Sequence, residues 1–206
     1  MSSRAAPSSR AERRERTRQA IVDATVAAVA ERGVRGMRVE DVAARAGVST
    51  PLLYYHFGDR LTLIGAALDK ANAQAPSGVL REPHGGATEY DAVRDALLRE
   101  FDEDDPVIRN NSIVWNEVSA SAVFEPELRD VLRRVTSEWN EWVAEAIAAG
   151  VAEGSIRAGV DPQETAALLT SLVEGLSMRW LAGSLSLERA RALCSDAIES
   201  VLAPRG

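Results

Sequence analysis

The chemistry this chain offers is concentrated between Ser49 and Arg60, and it is the chemistry of recognition. Ser49, Thr50, Tyr54 and Tyr55 supply hydroxyls, Tyr54 and Tyr55 aromatic faces, His56 an imidazole, Arg60 a guanidinium, and Pro51 and Leu52 apolar contact. Such groups meet phosphate oxygens, base edges and thymine methyls. Sets for covalent or metal chemistry are missing. There are two histidines, His56 and His84, and neither follows a glutamate by three, so the Glu-x-x-His pairs of a di-metal helical oxygenase are absent. Nor is there a Ser–His–Asp set, a phosphate-cradling glycine loop or a Cys-x-x-Cys pair. His56 has no second histidine nearby in sequence and reads as a phosphate contact rather than a metal ligand. The chain is expected to be no enzyme and to hold no cofactor and no metal.

The elements around these residues must place them. Val39, Val42 and Ala43 lie at helical spacing, and Gly47 stands where a short helix has to stop, because glycine takes the left-handed conformation after a helix cheaply. Ser49 and Thr50 can then cap a second helix with Pro51 in its first turn, and Leu53 and Phe57 turn its apolar side inward. Helix, glycine turn, helix is the helix-turn-helix pattern, whose second helix enters the major groove of DNA. A helix of one or two turns is not stable alone, so its polar and aromatic outer side implies a use.

In AGVS followed by LYYHF, with a basic residue three beyond, the segment from about Glu15 to Ala75 resembles the TetR/AcrR family of bacterial repressors. The resemblance implies that Thr50, Pro51, Leu52 and Tyr54 face base edges. It also implies that Ser49, Tyr55, His56 and Arg60 touch the backbone. Tyr54 reads equally as a core residue with its hydroxyl outward. Two positions depart from the family pattern. Arg38 stands where Ser or Thr usually caps the first helix of the motif; arginine reaches a phosphate but cannot cap, at a cost of about 1 kcal/mol. Leu52 replaces a small polar residue and can touch a thymine methyl without reading donors and acceptors.

The net charge of −7 is divided unevenly: residues 1–70 hold 12 Lys and Arg against 8 Asp and Glu, and residues 71–206 hold 12 against 23. A basic head that meets phosphates and an acidic body that does not is the arrangement this favours. The arginines from Arg10 to Arg18 read either as the solvated start of helix 1 or as an arm reaching the DNA. Apolar content of 46% is ample for a core. No apolar run is long enough for a membrane span, and the arginine-rich start is not a signal peptide. A single cysteine, Cys194, fits a reducing compartment, so a cytoplasmic protein is expected.

The expected architecture is all-α with about nine helices. Residues 1–14 form a flexible basic arm, of which 1–9 are disordered. Residues 15–75 form a three-helix helix-turn-helix domain with the motif at about 38–57, and 76–206 a helical bundle for effector binding and dimerisation. Helix 1 ends at Gly33 and helix 4 runs from Arg60 to Ala75. A Gly- and Pro-rich hinge containing His84 follows. Thr88, Asp105, Asp161 and Ser186 cap four later helices, and Glu125-Pro126 opens helix 7. Helix 8 is apolar on both sides, with Leu169, Leu172, Val173, Leu176 and Trp180 on one. This calls for a second subunit as cover. Leu193, Ala197 and Val201 on helix 9 complete the expected dimer face, as the family resemblance also implies.

From Trp115 to Gly175, PELRDVL, AAGVAEGSIRAGVDP and LVEGL are loosely similar to the C-terminal domain of choline-responsive repressors of that family. An effector pocket of Trp115, Glu117, Trp139, Trp142, Glu174 and Met178 is expected on this basis. The tryptophans read either as core filling or as walls of a cation site. The expected function is a homodimeric, ligand-responsive regulator released from a palindromic operator by a small molecule. A helical protein with a degenerate head, acting through protein partners, is the alternative.

Overall fold

The computed structural model describes residues 9–74 and 87–204, and these are helical with no strand among them. Of the nine residues expected to be disordered, the first eight lie outside the described residues, as does the expected hinge around His84, and Ser9 is the cap of the first helix. The helix α1 (Arg10–Gly36) begins with a reciprocal cap, in which Glu12 N donates to Ser9 Oγ at 3.1 Å and Ser9 N to Glu12 Oε2 at 2.9 Å. Arg10 to Arg14 therefore belong to a capped helix and not to a flexible arm. Gly33, at φ 71°, breaks α1 where its end was expected, and one more turn follows to Gly36.

The head continues with α2 (Val39–Arg45), α3 (Thr50–Phe57) and α4 (Arg60–Gln74). Arg38 precedes α2 in extended geometry with no side-chain cap, as its chemistry requires. Ser49 caps α3 by accepting from Leu52 N at 3.3 Å, and Gly47 at φ 68° makes the turn between the two helices. The body is α5 (Glu89–Arg99), α6 (Pro106–Ala122), α7 (Leu128–Glu153), α8 (Pro162–Leu181) and α9 (Leu187–Leu202). Thr88, Asp105, Asp161 and Ser186 cap α5, α6, α8 and α9 as expected. Helix α7 differs: Glu125 and Pro126 form a turn whose carbonyls accept from Leu128 N and Arg129 N, and the helix starts at Leu128.

Two apolar clusters organise the molecule. One joins the head to the body, with Ile21, Val29, Leu53, Phe57 and Leu68 packed with Val114 and Val118 of α6 and Leu128 and Val135 of α7. The other holds α5, α7, α8 and α9 together around Phe101, Val143, Ile147, Leu169 and Ile198. Trp115 packs against both.

The expected dimer face needs correcting. Leu169, Val173 and Leu176 are 1%, 3% and 6% exposed inside the protomer, and Leu172, Trp180, Leu193 and Val201 are partly buried against the same core. The most apolar side of α8 is already covered by α7 and α9 of its own chain. What it leaves outside is a stripe at helical spacing, Leu168, Ser171, Gly175 and Met178, with Leu168 and Met178 more than half exposed.

Candidate nucleic-acid interface and effector pocket

Helix α3 stands on Leu53 and Phe57, which are 0% and 5% exposed. With the apolar side fixed there, the opposite side turns out Pro51, Leu52, Tyr54 and Tyr55, the last 70% exposed. Tyr54, at 41%, is thus a surface residue rather than core. Thr50 and His56 sit at the edge, half-buried, and the Tyr55 and His56 rings meet edge to face at 5.6 Å. Ser49 is spent on its cap, and Arg38 is exposed.

The arginines of α1 share this surface. Arg10, Arg14 and Arg18 repeat every four residues, so they line one side of the helix. With Tyr55 and His56 they rim a shallow groove. The Arg14 guanidinium lies 5.8 Å from the Tyr55 ring centre, and that of Arg18 lies 5.1 Å from that of Phe57. Other head arginines are neutralised: Arg45 pairs with Glu31 at 2.7 Å and Arg32 with Asp41.

Arg60 is not on that surface. Its guanidinium donates to the Val34 carbonyl and lies 3.8 Å from Glu125, so it ties α4 to the end of α1 and to the α6–α7 corner. The break at Gly33 supplies the reason, since the last carbonyls of a helix lack intrahelical donors.

A narrow cavity of about 40 Å³ opens between α4, α6, α7 and α8 and the end of α5. Trp115 and Trp139 stand edge to face in its wall at 5.7 Å. The Trp139 indole nitrogen and Ser177 Oγ are buried without a hydrogen-bond partner, and the Trp115 indole is buried beside Glu174. Glu174 lies beside them; burial raises its carboxyl above the ordinary carboxylate value, with the Trp115 indole pulling the other way. Glu100, at the end of α5, is pushed up by burial to about 7, opposed by the Arg99 charge.

Three expected pocket residues lie elsewhere. Glu117 Oε2 accepts from Val34 N at 2.9 Å at the foot of the head. Trp142 packs into the second core, and Met178 is 55% exposed on the outer stripe of α8. Conversely Glu100, Asn111, Ser112 and Ser177 line the cavity without having been expected. Their signal was present for α6, where Asn111, Ser112 and Trp115 recur at helical spacing, and absent for Glu100, which arrives through the packing of α5.

Two family profiles match the chain. Residues 21–67 match the tetR family of bacterial regulatory proteins, and residues 90–203 match the BetI-type transcriptional repressor C-terminal domain. An HTH-type transcriptional regulator BetI from Burkholderia mallei is 27% identical over 201 residues, covering 93% of this chain and 96% of that one. The crystal structure of a TetR-family transcriptional regulator from Rhodococcus sp. superposes with a TM-score of 0.85 at 46% identity, over 92% of this chain and all of that one. A transcriptional regulator from Saccharomonospora viridis, solved in complex with choline, superposes with a TM-score of 0.77 at 25% identity, over 95% of this chain and all of that one. Among the described residues no helix is long and apolar enough to cross a membrane.

Proposed function

The chain belongs to the TetR family of bacterial regulatory proteins, with a BetI-type repressor C-terminal domain, and from that premise we propose a cytoplasmic homodimeric repressor that a small organic cation releases from a palindromic operator. The observation that carries the DNA half is the outer side of α3. Pro51, Leu52, Tyr54 and Tyr55 point outward from a helix whose other side is anchored. Thr50, Leu52 and Tyr54 meet base edges, while Arg38, Tyr55 and His56 meet phosphates, joined by Arg10 and Arg14 of α1. One head of this size makes too few contacts for a specific site. The stripe of Leu168, Ser171, Gly175 and Met178 on α8, with α9 beside it, pairs two copies and sets the half-sites about one DNA turn or a small multiple apart.

The cation half rests on Trp115, Trp139 and Glu174 around one cavity, which suits a positive charge through aromatic faces and a carboxylate. The choline held by the Saccharomonospora relative agrees with this reading. Trp115 and Glu117 share α6, so a ligand pressed on Trp115 acts on the strut between Glu117 and Val34 beneath the head. Release requires that the cation bind the released geometry better than the DNA-bound one.

The test is calorimetric titration of the full chain with choline, repeated on Glu174→Gln. Saturable binding that the variant weakens at least tenfold supports the cation site. Heats no larger than dilution for every small organic cation tried would contradict it. The reading of a degenerate head acting through protein partners has less support, because the α3 side chains are intact and turned outward.

A further inference from the structure

We propose that the effector of this pocket carries two positive charges, as a small diamine does, one charge meeting Glu174 beside the tryptophans and the other meeting Glu100. This rests on the reading above that the cavity takes a cation, and it sharpens which cation. Two carboxylates reach one cavity from different elements, Glu100 from the end of α5 and Glu174 from the middle of α8. Among the described residues the lining contains no lysine, arginine or histidine, and neither carboxylate takes part in an ion pair.

Carboxylates removed from water without a partner are costly, and proteins pair or neutralise them. A singly charged ligand satisfies one of the two and leaves the other to keep its proton. A ligand with two ammonium groups satisfies both, and each charge gains from the low local dielectric of the site. The cavity's unpartnered oxygen points the same way. Ser177 Oγ is buried in a residue only 5% exposed and has no hydrogen-bond partner. A primary ammonium has N–H groups to donate to it and to the carboxylates, whereas a quaternary ammonium has none. Trp115 and Trp139 give the methylene chain an apolar wall. The enclosed space, about 40 Å³, is smaller than a diamine of four or five carbons, so binding one requires the surrounding helices to part.

The experiment is calorimetric titration of the full-length protein at one pH with 1,4-diaminobutane, butylamine and choline. It is repeated on Glu100→Gln and Glu174→Gln, with thermal melts to verify that both variants fold. The expected result is that the wild type binds the diamine at least tenfold more tightly than butylamine. Glu100→Gln reduces that ratio to within about threefold, and Glu174→Gln weakens both amines. The proposal is overturned if butylamine or choline binds the wild type as tightly as the diamine, or if Glu100→Gln leaves the ratio unchanged. Choline binding without a diamine advantage sinks the second charge alone and keeps the cation reading. No binding of any of the three sinks both. The comparison within the wild type decides the matter even if a variant does not fold.

Discussion

At the scale of single residues, the head separates side chains that face outward from those that hold it together. Tyr54 and Tyr55 are exposed and support little of the core. Alanine at either is therefore expected to weaken operator binding by about 1–3 kcal/mol while the melting temperature stays within a few degrees, measured by fluorescence anisotropy and calorimetry. Arg60→Ala behaves in the opposite way. It leaves the Val34 carbonyl without its donor and removes the Glu125 contact, so about 1–3 kcal/mol of stability is lost. Glu100 makes a prediction with a pH axis. Burial raises its carboxyl from 4.5 to about 7, so above pH 4.5 the folded chain keeps a proton that the unfolded chain releases. Its contribution to stability therefore falls as pH rises from about 4.5 to 7 and is flat above. Glu100→Gln is expected to match the wild type near pH 4.5 and to exceed it at pH 8 by on the order of 3 kcal/mol, read from urea unfolding at both values. Equal stabilities at pH 8 would refute the burial of that charge.

At the scale of elements, the proposed link from pocket to head runs through the join between α1 and α6. Gly33 is required by its φ of 71°, which disfavours a side chain, and a Cβ there, 2.5 Å from Glu117 Oε2, would also push that carboxylate off Val34 N–H. Gly33→Ala is expected to cost about 1–3 kcal/mol and to lower the melting temperature by several degrees. Glu117→Ala, which leaves Val34 N–H unpaired, is expected to reduce the response of DNA binding to effector while effector affinity stays within about threefold. An unchanged response would place the coupling on another path. The helices themselves were readable because their starts are chemical: Ser49, Thr88, Asp105, Asp161 and Ser186 each hold a backbone N–H. Only α7 begins later than its Glu-Pro pair suggested, because the Arg129 side chain donates to the Ala122 and Val123 carbonyls and stabilises a turn first. Pocket membership was half legible. Glu117 follows Trp115 by two residues and so points about 200° away around the helix. Glu100 enters the cavity only through tertiary packing, which no local spacing announces. Likewise, a helix apolar on both sides announced two covers, but not that Leu169, Val173 and Leu176 belong to the chain's own core.

At the scale of the whole molecule, the proposed dimeric DNA-binding unit rests on the divided charge and the outer stripe of α8. The basic head and acidic body let a chain of net charge −7 bind DNA through one end. Affinity should therefore fall steeply and linearly on a log–log scale with salt, with a slope that shrinks by about one for each of Arg10 and Arg14 replaced by alanine. Leu168→Glu or Met178→Glu buries a charge in the proposed dimer contact. Either is expected to halve the mass seen by analytical ultracentrifugation and to weaken operator binding at nanomolar protein, while the helical content measured by circular dichroism is unchanged. The most direct test of the account is selection of sequences bound by the full-length protein from fragmented DNA of its host, at physiological salt. Enrichment of an inverted repeat whose half-sites lie about one helical turn or a small multiple apart is expected. Fragments enriched no further than random DNA, or a single half-site without a symmetric partner, would contradict it.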